Sequence, residues 1–268
     1  IMKANIKDVP PKDIVLGMQS LARCGIQGQQ DLTALGEVVG DHMSKDGKTA
    51  LSAEDYCALS WTFCALGLNH DKLFRTTFQA LEDANVSASE TLCQLYEIHL
   101  ALKAFHHGSY KEYELEDETV QNLRTHFKKH GGGQSRSQKL ERSSERIHAD
   151  VADMLGEVVE GSISSGYVTS LGYMVDIAAE KKRGSKSTPI ICLEIDGPST
   201  LIRSLDPQEN VGFGQAQRVR GAARLKRRIL EKNGFRVGVL TEDEWKTFDG
   251  DRQKEAHLKR LSKEVGVS

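Results

Sequence analysis

Residues 189–199 read PIICLEIDGPS, and they are the most informative part of the C-terminal half of the chain. An apolar run bounded by a proline and by a Gly-Pro pair predicts a short β-strand that ends near its two acidic residues. Side chains two positions apart on a strand face the same side of a sheet, so Glu194 and Asp196 point together. We therefore expect a strand with a pair of neighbouring carboxylates at its end.

The sequence on either side of this strand predicts an α/β unit. Residues 144–160 form an amphipathic helical pattern with an apolar stripe at Ile147, Val151, Leu155 and Val158. The other predicted elements are strands at 167–168 and 171–178, a basic turn at 181–186, the strand at 189–195, a helix at 221–233 that Gly234 ends, a strand at 235–240 and a helix at 251–264. Helix, three strands, helix and strand is the order of an α/β unit whose last strand is brought in by a crossover helix.

The first half of the chain reads as helical hairpins. Apolar residues recur at helical spacing over 14–26, 32–43 and 89–103. A second copy of the first hairpin lies 42 residues on, so that Gly25 corresponds to Gly67, and Ser52 with Asp55 predicts the N-cap of its first helix. Such hairpins stack as repeats because one hairpin cannot bury its own apolar face. The alternative, an ordinary helical bundle in which two hairpins are similar by chance, stays open.

Composition changes between the two halves. The acidic run at 112–118 and the glycines at 131–133 are typical of a boundary or linker. The sequence therefore predicts a helical-repeat domain at 1–107, a linker at 108–138, and an α/β domain with its leading helix at 139–268.

Length and composition exclude several classes of protein. The 268 residues are 38% apolar and 28% charged, which is enough apolar side chain for a core and excludes a disordered or fibrous chain. The five cysteines are scattered without zinc-ligand spacing, and most lie among apolar residues, so we expect these to be buried thiols in a reducing compartment. No apolar run approaches the ~18 residues that span a membrane, and no membrane partner is expected.

The formal net charge of −2 hides a local excess of bases. Residues 1–133 hold 13 Lys plus Arg and 18 Asp plus Glu, whereas residues 134–268 hold 23 and 20. Between Arg218 and Arg236, eight bases are opposed only by Glu231. This distribution argues against indiscriminate nucleic-acid binding and favours one small phosphate-binding face.

The bases of this run and of the preceding basic turn are the candidate RNA-binding residues. On the predicted helix the apolar residues face the sheet, which leaves the arginines on the exposed side, where their forks suit phosphate oxygens. The apolar residues are Leu225, Ile229 and Leu230, and the arginines are Arg220, Arg224, Arg227 and Arg228. The full candidate set is Lys181, Lys182, Arg183, Lys186, Arg218, Arg220, Arg224, Lys226, Arg227 and Arg228. The alternative, a solvated basic face without a ligand, stays open.

The carboxylates at the strand end are the candidate metal ligands. Asp176, on the neighbouring predicted strand, is within reach of Glu194 and Asp196. Three clustered carboxylates hold Mg²⁺ for phosphodiester chemistry, because hard oxygen ligands bind a hard cation that activates water. The alternative is that strand-end acids are solvated or cap the next helix, and the sequence alone leaves both open.

Three blocks of the C-terminal half resemble the RAP domain. They are YMVDI at 173–177, PIICLEIDGPS at 189–199, and the run from Gly221 through LKRRIL at 225–230 and GFRV at 234–237 to Glu244-Trp245. This family is described as an RNA-binding domain that is abundant in apicomplexans and that also ends the Fas-activated serine/threonine kinase family of mitochondrial RNA proteins. The resemblance spans 173–261, and the helical half resembles, more loosely, the degenerate α-repeats that usually precede such domains.

The resemblance implies a fold and a setting. The fold is α+α/β, with N-terminal helical-hairpin repeats followed by a C-terminal restriction-endonuclease-like α/β domain of the PD-(D/E)XK kind. The setting is organellar RNA metabolism or a mitochondrial ribosome, and hence the mitochondrial matrix. Two departures from the nuclease pattern argue against catalysis: Asp196 stands where the active-site lysine falls, and Thr200-Leu201 replaces the His-aromatic pair that follows Gly-Pro-Ser.

We therefore expect a non-catalytic mitochondrial RNA-binding protein, a component or assembly factor of the mitochondrial ribosome that contacts rRNA phosphates. Asp176, Glu194 and Asp196 are then vestigial, no cofactor or metal is needed, and Mg²⁺ enters only if the carboxylate cluster is active. The expected partners are ribosomal RNA and, through the helical repeats, neighbouring proteins of a ribonucleoprotein, with no small-molecule substrate. The alternatives are a metal-dependent RNA endonuclease, an mRNA-processing or stability factor, and a protein-only scaffold.

Overall fold

The computed structural model describes residues 9–25, 51–84, 86–131, 142–183, 186–198, 200–202 and 218–265. The chain forms two compact units. The first, which we call the helical unit, comprises Ile1–His126 and Ile202–Leu225, and the second, the sheet unit, comprises Phe127–Leu201 and Lys226–Ser268. The combination of helices with a small mixed sheet agrees with the expected α+α/β class.

Helices make up most of the regular structure in the described part of the chain. They are α1 (Pro11–Arg23), α2 (Ala53–Leu66), α3 (Asp71–Ala84), α4 (Ser89–Phe105), α5 (His107–Tyr110), α6 (Asp117–His130), α7 (Arg142–Val158), α8 (Gly221–Lys232), α9 (Glu242–Thr247) and α10 (Asp251–Glu264). The strands are β1 (Ser162–Val168), β2 (Met174–Arg183), β3 (Lys186–Asp196), β4 (Leu201–Ile202), β5 (Arg218–Val219) and β6 (Val237–Thr241).

Both ends of helix α2 carry residues that are typical helix caps. Ser52 Oγ accepts a hydrogen bond from the backbone N–H of Asp55, and the Asp55 carboxylate accepts one from the backbone N–H of Ser52. This reciprocal pair confirms the predicted N-cap and is a capping box. Gly67 ends the helix with a φ of 74°, in the left-handed region, where glycine has no Cβ to clash.

The predicted hairpins are described in part. Gly25, the counterpart of Gly67, follows α1 and also adopts a left-handed φ, of 64°. The segment 32–43, predicted as the second helix of the first hairpin, lies outside the described residues. Helix α4 confirms the helix predicted at 89–103, whereas the range 108–138, predicted as a linker, carries α6.

Helix α2 is the centre of the helical unit. It packs against α1, α3 and α4, and nine of its 14 residues are buried. A helix that is apolar on every side lies inside a domain because no face of it needs water. The polar groups trapped there are paired: the hydroxyls of Ser60 and Thr77 lie 2.7 Å apart, and Trp61 Nε1 donates to Glu97 Oε2 at 2.8 Å.

The sheet unit contains a four-stranded sheet in the order β1-β2-β3-β6. β1 with β2 and β2 with β3 are antiparallel, whereas β3 and β6 are parallel. A parallel neighbour cannot be reached by a tight turn, and the chain between β3 and β6 includes α8. The predicted α/β unit with a crossover helix is confirmed.

One face of this sheet is covered by α7 and α10. Alternate residues of β2 and β3, among them Ile177, Leu193 and Ile195, pack with the apolar stripe of α7 in one buried cluster. The buried stripe is Ile147, Val151, Leu155 and Val159, whereas the predicted Val158 is only partly buried. Leu258 of α10 and Trp245 of α9 belong to the same cluster.

Three local predictions differ from the structure. Residues 181–183 and 186, predicted as part of a basic turn, continue β2 and β3, so the hairpin turn is shorter than predicted. The strand predicted at 167–168 begins earlier in the structure, at Ser162. β1 is an outer strand of the sheet and much of it is exposed, so its sequence does not need to be apolar. Helix α9, absent from the prediction, is a short helix capped by Thr241, whose Oγ1 accepts from the backbone N–H of Glu244.

A buried polar pair lies in the helical unit. His99 of α4 is 2% exposed, and its Nδ1 lies 2.7 Å from the hydroxyl oxygen of Tyr110. Burial, together with the nearby Lys103, lowers the pKa of His99 to about 4, and burial raises the pKa of Tyr110. A neutral imidazole and a neutral phenol therefore share this hydrogen bond.

We predict that acid weakens the helical unit through His99. Because the pKa of His99 falls from 6.5 to about 4 on folding, the unfolded chain binds the proton first, and stability is lost as pH falls from 6.5 towards 4. The loss amounts to at most about 3 kcal/mol. Chemical denaturation at pH 7 and pH 4.5 measures it: His99→Gln is expected to lose less free energy of unfolding between the two conditions than the wild type. An equal loss would contradict the assignment.

Candidate functional site

The acidic strand end lies under helix α8. Glu194 and Asp196 alternate with Leu193 and Ile195, which pack in the cluster under α7, so the two carboxylates leave the opposite face of the sheet. Their side chains are 1% and 2% exposed. A carboxylate buried this deeply needs a nearby positive charge or several hydrogen bonds to compensate for the lost water.

Two basic side chains of α8 supply that compensation. Lys226 Nζ lies 2.6 Å from Glu194 Oε1 and donates a hydrogen bond, also of 2.6 Å, to the backbone oxygen of Met174. Arg227 Nη2 donates to Asp196 Oδ1 at 2.5 Å. The lysine and the arginine are 11% and 12% exposed, so both ion pairs are shielded from water.

These ion pairs correct one expectation about the basic helix. Arg227, predicted on the exposed side of α8, points into the sheet unit instead. The apolar part of the prediction is confirmed, because Leu225, Ile229 and Leu230 are fully buried. Periodicity missed the inward cations because it counts charged side chains as solvent-facing, whereas a long basic side chain can reach a buried carboxylate.

Asp176 has a different role from the other two carboxylates. Its Oδ2 accepts a hydrogen bond of 2.8 Å from the backbone N–H of Ile195. The ladder between β2 and β3 runs only as far as Ile177 and Leu193, while β2 stays paired with β1 as far as Met174. The Asp176 side chain thus replaces the backbone oxygen that β2 no longer offers to β3.

The three carboxylates do not fit a divalent cation. Two are paired with buried cations, and the third holds the backbone of β3. Among the described residues, no three His, Cys, Asp or Glu side chains form a group that could hold a metal ion. Burial, followed by the charge of Glu194, raises the pKa of the neighbouring Cys192 thiol to about 12, as expected for a thiol beside a buried carboxylate. The strand end is an ion-paired interface between a helix and a sheet.

A second buried carboxylate explains the glycine of the Gly-Pro-Ser motif. Glu242, 4% exposed, accepts a hydrogen bond of 2.7 Å from Ser144 Oγ and lies 3.4 Å from Lys246 Nζ. A Cβ atom on Gly197 would lie 2.9 Å from the Glu242 carboxyl carbon, so no larger residue fits there without a shift. No local sequence pattern reveals this contact, because the two residues lie 45 positions apart.

The remaining candidate RNA-binding residues have varied surroundings. Arg220 is exposed, and Arg228 is half-buried. Arg224, also half-buried, donates from Nη2 to the backbone oxygen of Ala65 at 3.0 Å within the helical unit. The backbones of Lys181, Lys182, Arg183, Lys186 and Arg218 lie in strands, and their side chains lie outside the described part of the chain. Lys232 and Arg236, which complete the basic run, are exposed.

Trp245 is a core anchor of the sheet unit. It is 2% exposed, and its Nε1 donates to Asp150 Oδ2 at 2.9 Å. Lys254 Nζ donates to the same oxygen at 2.6 Å and lies 5.1 Å from the centre of the indole ring. The side chain joins α7, α9 and α10 and offers no open face for base stacking.

No protein-family model matches the chain, and no curated protein is significantly similar to it. In the described ranges, no helix is both long enough and apolar enough to cross a membrane.

Gly197→Ala is expected to destabilise the sheet unit by about 1–3 kcal/mol, because the added methyl group overlaps the buried Glu242 carboxylate. Gly108→Ala is the matched control, since a Cβ at that position meets nothing within 4 Å and its φ is not positive. Urea denaturation followed by circular dichroism compares the two variants. If both unfold at the urea midpoint of the wild type, the contact does not constrain Gly197.

Proposed function

We propose that this chain is a non-catalytic mitochondrial RNA-binding protein whose sheet unit is a RAP-like domain that grips phosphates through α8 and its flanks. The observation that carries the proposal is the local charge. Within 218–236 one acid accompanies eight bases. Lys226 and Arg227 are neutralised by Glu194 and Asp196, whereas Lys232 and Arg236 of the sheet unit are exposed. Ammonium and guanidinium groups grouped on one short stretch suit a row of phosphate oxygens.

The architecture supports the same proposal more generally. A helix, three strands, a crossover helix and a parallel fourth strand are compatible with the restriction-endonuclease-like fold that the RAP resemblance implies. The hairpin of α2 and α3, with left-handed glycines after α1 and α2, is compatible with degenerate α-repeats. Fold and family do not fix a function by themselves, so the basic residues carry the proposal.

Within this class we favour a component or assembly factor of the mitochondrial ribosome, in the matrix, that contacts rRNA phosphates. The net negative first half suits contact with neighbouring proteins better than contact with RNA. Trp245 is buried and offers no stacking platform, which fits phosphate recognition with little base readout. A factor for mRNA processing or stability would use the same face.

Charge reversal at the exposed bases is expected to weaken RNA binding. The Lys232→Glu/Arg236→Glu variant loses two phosphate contacts, so the slope of log K against log salt becomes shallower by about 0.7 per contact on single-stranded RNA. Fluorescence anisotropy with labelled rRNA fragments across a salt titration measures both the affinity and the slope.

The matched control is Arg252→Glu/Lys263→Glu, which makes the same change of charge at exposed positions of α10. We expect this control to retain the salt slope of the wild type, because its bases lie outside the 218–236 run. An equal loss in both variants would show that net charge alone decides binding. Unchanged affinity in the Lys232→Glu/Arg236→Glu variant would contradict the proposed phosphate-binding face.

A metal-dependent RNA endonuclease is the second candidate, because three carboxylates lie on neighbouring strands. The buried ion pairs of Glu194 and Asp196 argue against it, and we expect no cleavage of labelled RNA in the presence of Mg²⁺ or Mn²⁺. Cleavage by the wild type that disappears in Asp176→Asn/Glu194→Gln would reverse this assignment. A protein-only scaffold would instead show co-purifying proteins that survive nuclease treatment and no affinity for RNA.

A further inference from the structure

Lys226 and Arg227 differ from the exposed bases of α8 in what they contact. Both reach carboxylates of one strand end, Glu194 and Asp196, with a single residue between them. All four side chains are almost completely buried. The two cations therefore neutralise carboxylates inside the sheet unit.

The spacing of these contacts determines how α8 is turned. Consecutive helical residues point about 100° apart, so Lys226 and Arg227 hold the helix at two positions around its axis. Lys232 then lies about 190° from the midpoint between them, on the far side of the helix. Its exposure agrees with this geometry, and Leu230, which points between the two cations, is fully buried.

The contact of Arg227 is made through one nitrogen. Its Nη2 bonds Asp196, while its Nε is buried without a hydrogen-bond partner in the part of the chain that the structure describes. A guanidinium that recognises a ligand through its fork uses two parallel bonds. The end-on contact indicates that the positive charge of Arg227 matters more at this position than its shape.

We propose that Lys226 and Arg227 are positioning residues and not RNA contacts. They are permanent counter-ions of Glu194 and Asp196, in the place where a nuclease would bind a divalent cation between its carboxylates. By holding both carboxylates they set the rotation of α8 that turns Lys232 outward.

Metal dependence tests the counter-ions directly. Carboxylates that are already paired with basic side chains do not need a divalent cation. Millimolar Mn²⁺, millimolar Mg²⁺ and EDTA are therefore each expected to leave the Tm of the wild type unchanged. Differential scanning fluorimetry at constant ionic strength measures this. A rise of the Tm with Mn²⁺ that is lost in Glu194→Gln would overturn the proposal, because it would mean that the carboxylates still take a metal.

A double-mutant cycle tests the coupling of one pair. Arg227→Met and Asp196→Asn each leave a buried charge uncompensated and are expected to lower the Tm, whereas the combined variant removes both charges and recovers most of the loss. Arg227→Lys keeps the charge and is expected to retain a higher Tm than Arg227→Met. If a single variant does not fold, the combined variant is still expected to fold. Additive losses in the combined variant would overturn the pairing.

RNA binding tests whether Arg227 touches phosphate, and this arm rests on the proposed function. The combined Arg227→Met/Asp196→Asn variant is expected to keep the salt slope of the wild type, because neither side chain touches phosphate and the Lys226–Glu194 pair, with the buried Leu225 and Leu230, still holds α8. A shallower salt slope in this variant would make Arg227 an RNA contact and overturn the proposal. If the wild type binds no RNA, the proposed function fails, while the metal and stability measurements still decide whether the counter-ions exist.

Discussion

The ion pairs Lys226–Glu194 and Arg227–Asp196 join α8 to the end of β3. Two carboxylates with almost no access to water are unfavourable on their own, and they become tolerable only when opposite charges lie against them. The crossover helix is thus tied to the strand by charge as well as by its apolar residues. Any rearrangement that moved α8 away from the sheet would leave two buried anions without compensation.

Such buried pairs add little to total stability on balance. Apolar side chains of similar size can bind a helix to a sheet as strongly, because the desolvation of the charges offsets most of their attraction. Rotation or sliding of α8 would break two ion pairs that lie at different angles around the helix axis. Asp176 adds a third polar restraint where β2 leaves β3, and it fixes the backbone of Ile195 beside these pairs.

Periodicity and capping signals predicted the elements of this chain well. Helix α10 has the predicted bounds, Gly234 follows α8 with a left-handed φ of 87°, and Ser52 with Asp55 forms the N-cap of α2. These features depend on residues within one or two turns of each other. Helix α6 was missed although its first turn is acidic and its last turn is basic, because the acidic and glycine-rich runs around it outweighed that signal.

The contacts of charged residues could not be predicted in the same way. Lys226 and Glu194 are 32 positions apart, and the sequence contains both charges but not the distance between them. The same holds for Gly197: a side chain is excluded at this position because Glu242 occupies the space. Sequence patterns place a charge on a helix face, whereas its partner depends on which strand the folded chain brings under that face.

The helical unit is discontinuous along the chain, because it includes Ile202–Leu225. Inside this unit Gly221 approaches the backbone oxygen of Ala22 so closely that a Cβ atom would collide with it, and Arg224 bonds the backbone oxygen of Ala65. Translation produces Gly221 about 200 residues after Ala22, when three of the four sheet strands have already been made. The last packing partner of Ala22 and Ala65 in the helical unit is therefore synthesised long after the helices that it contacts.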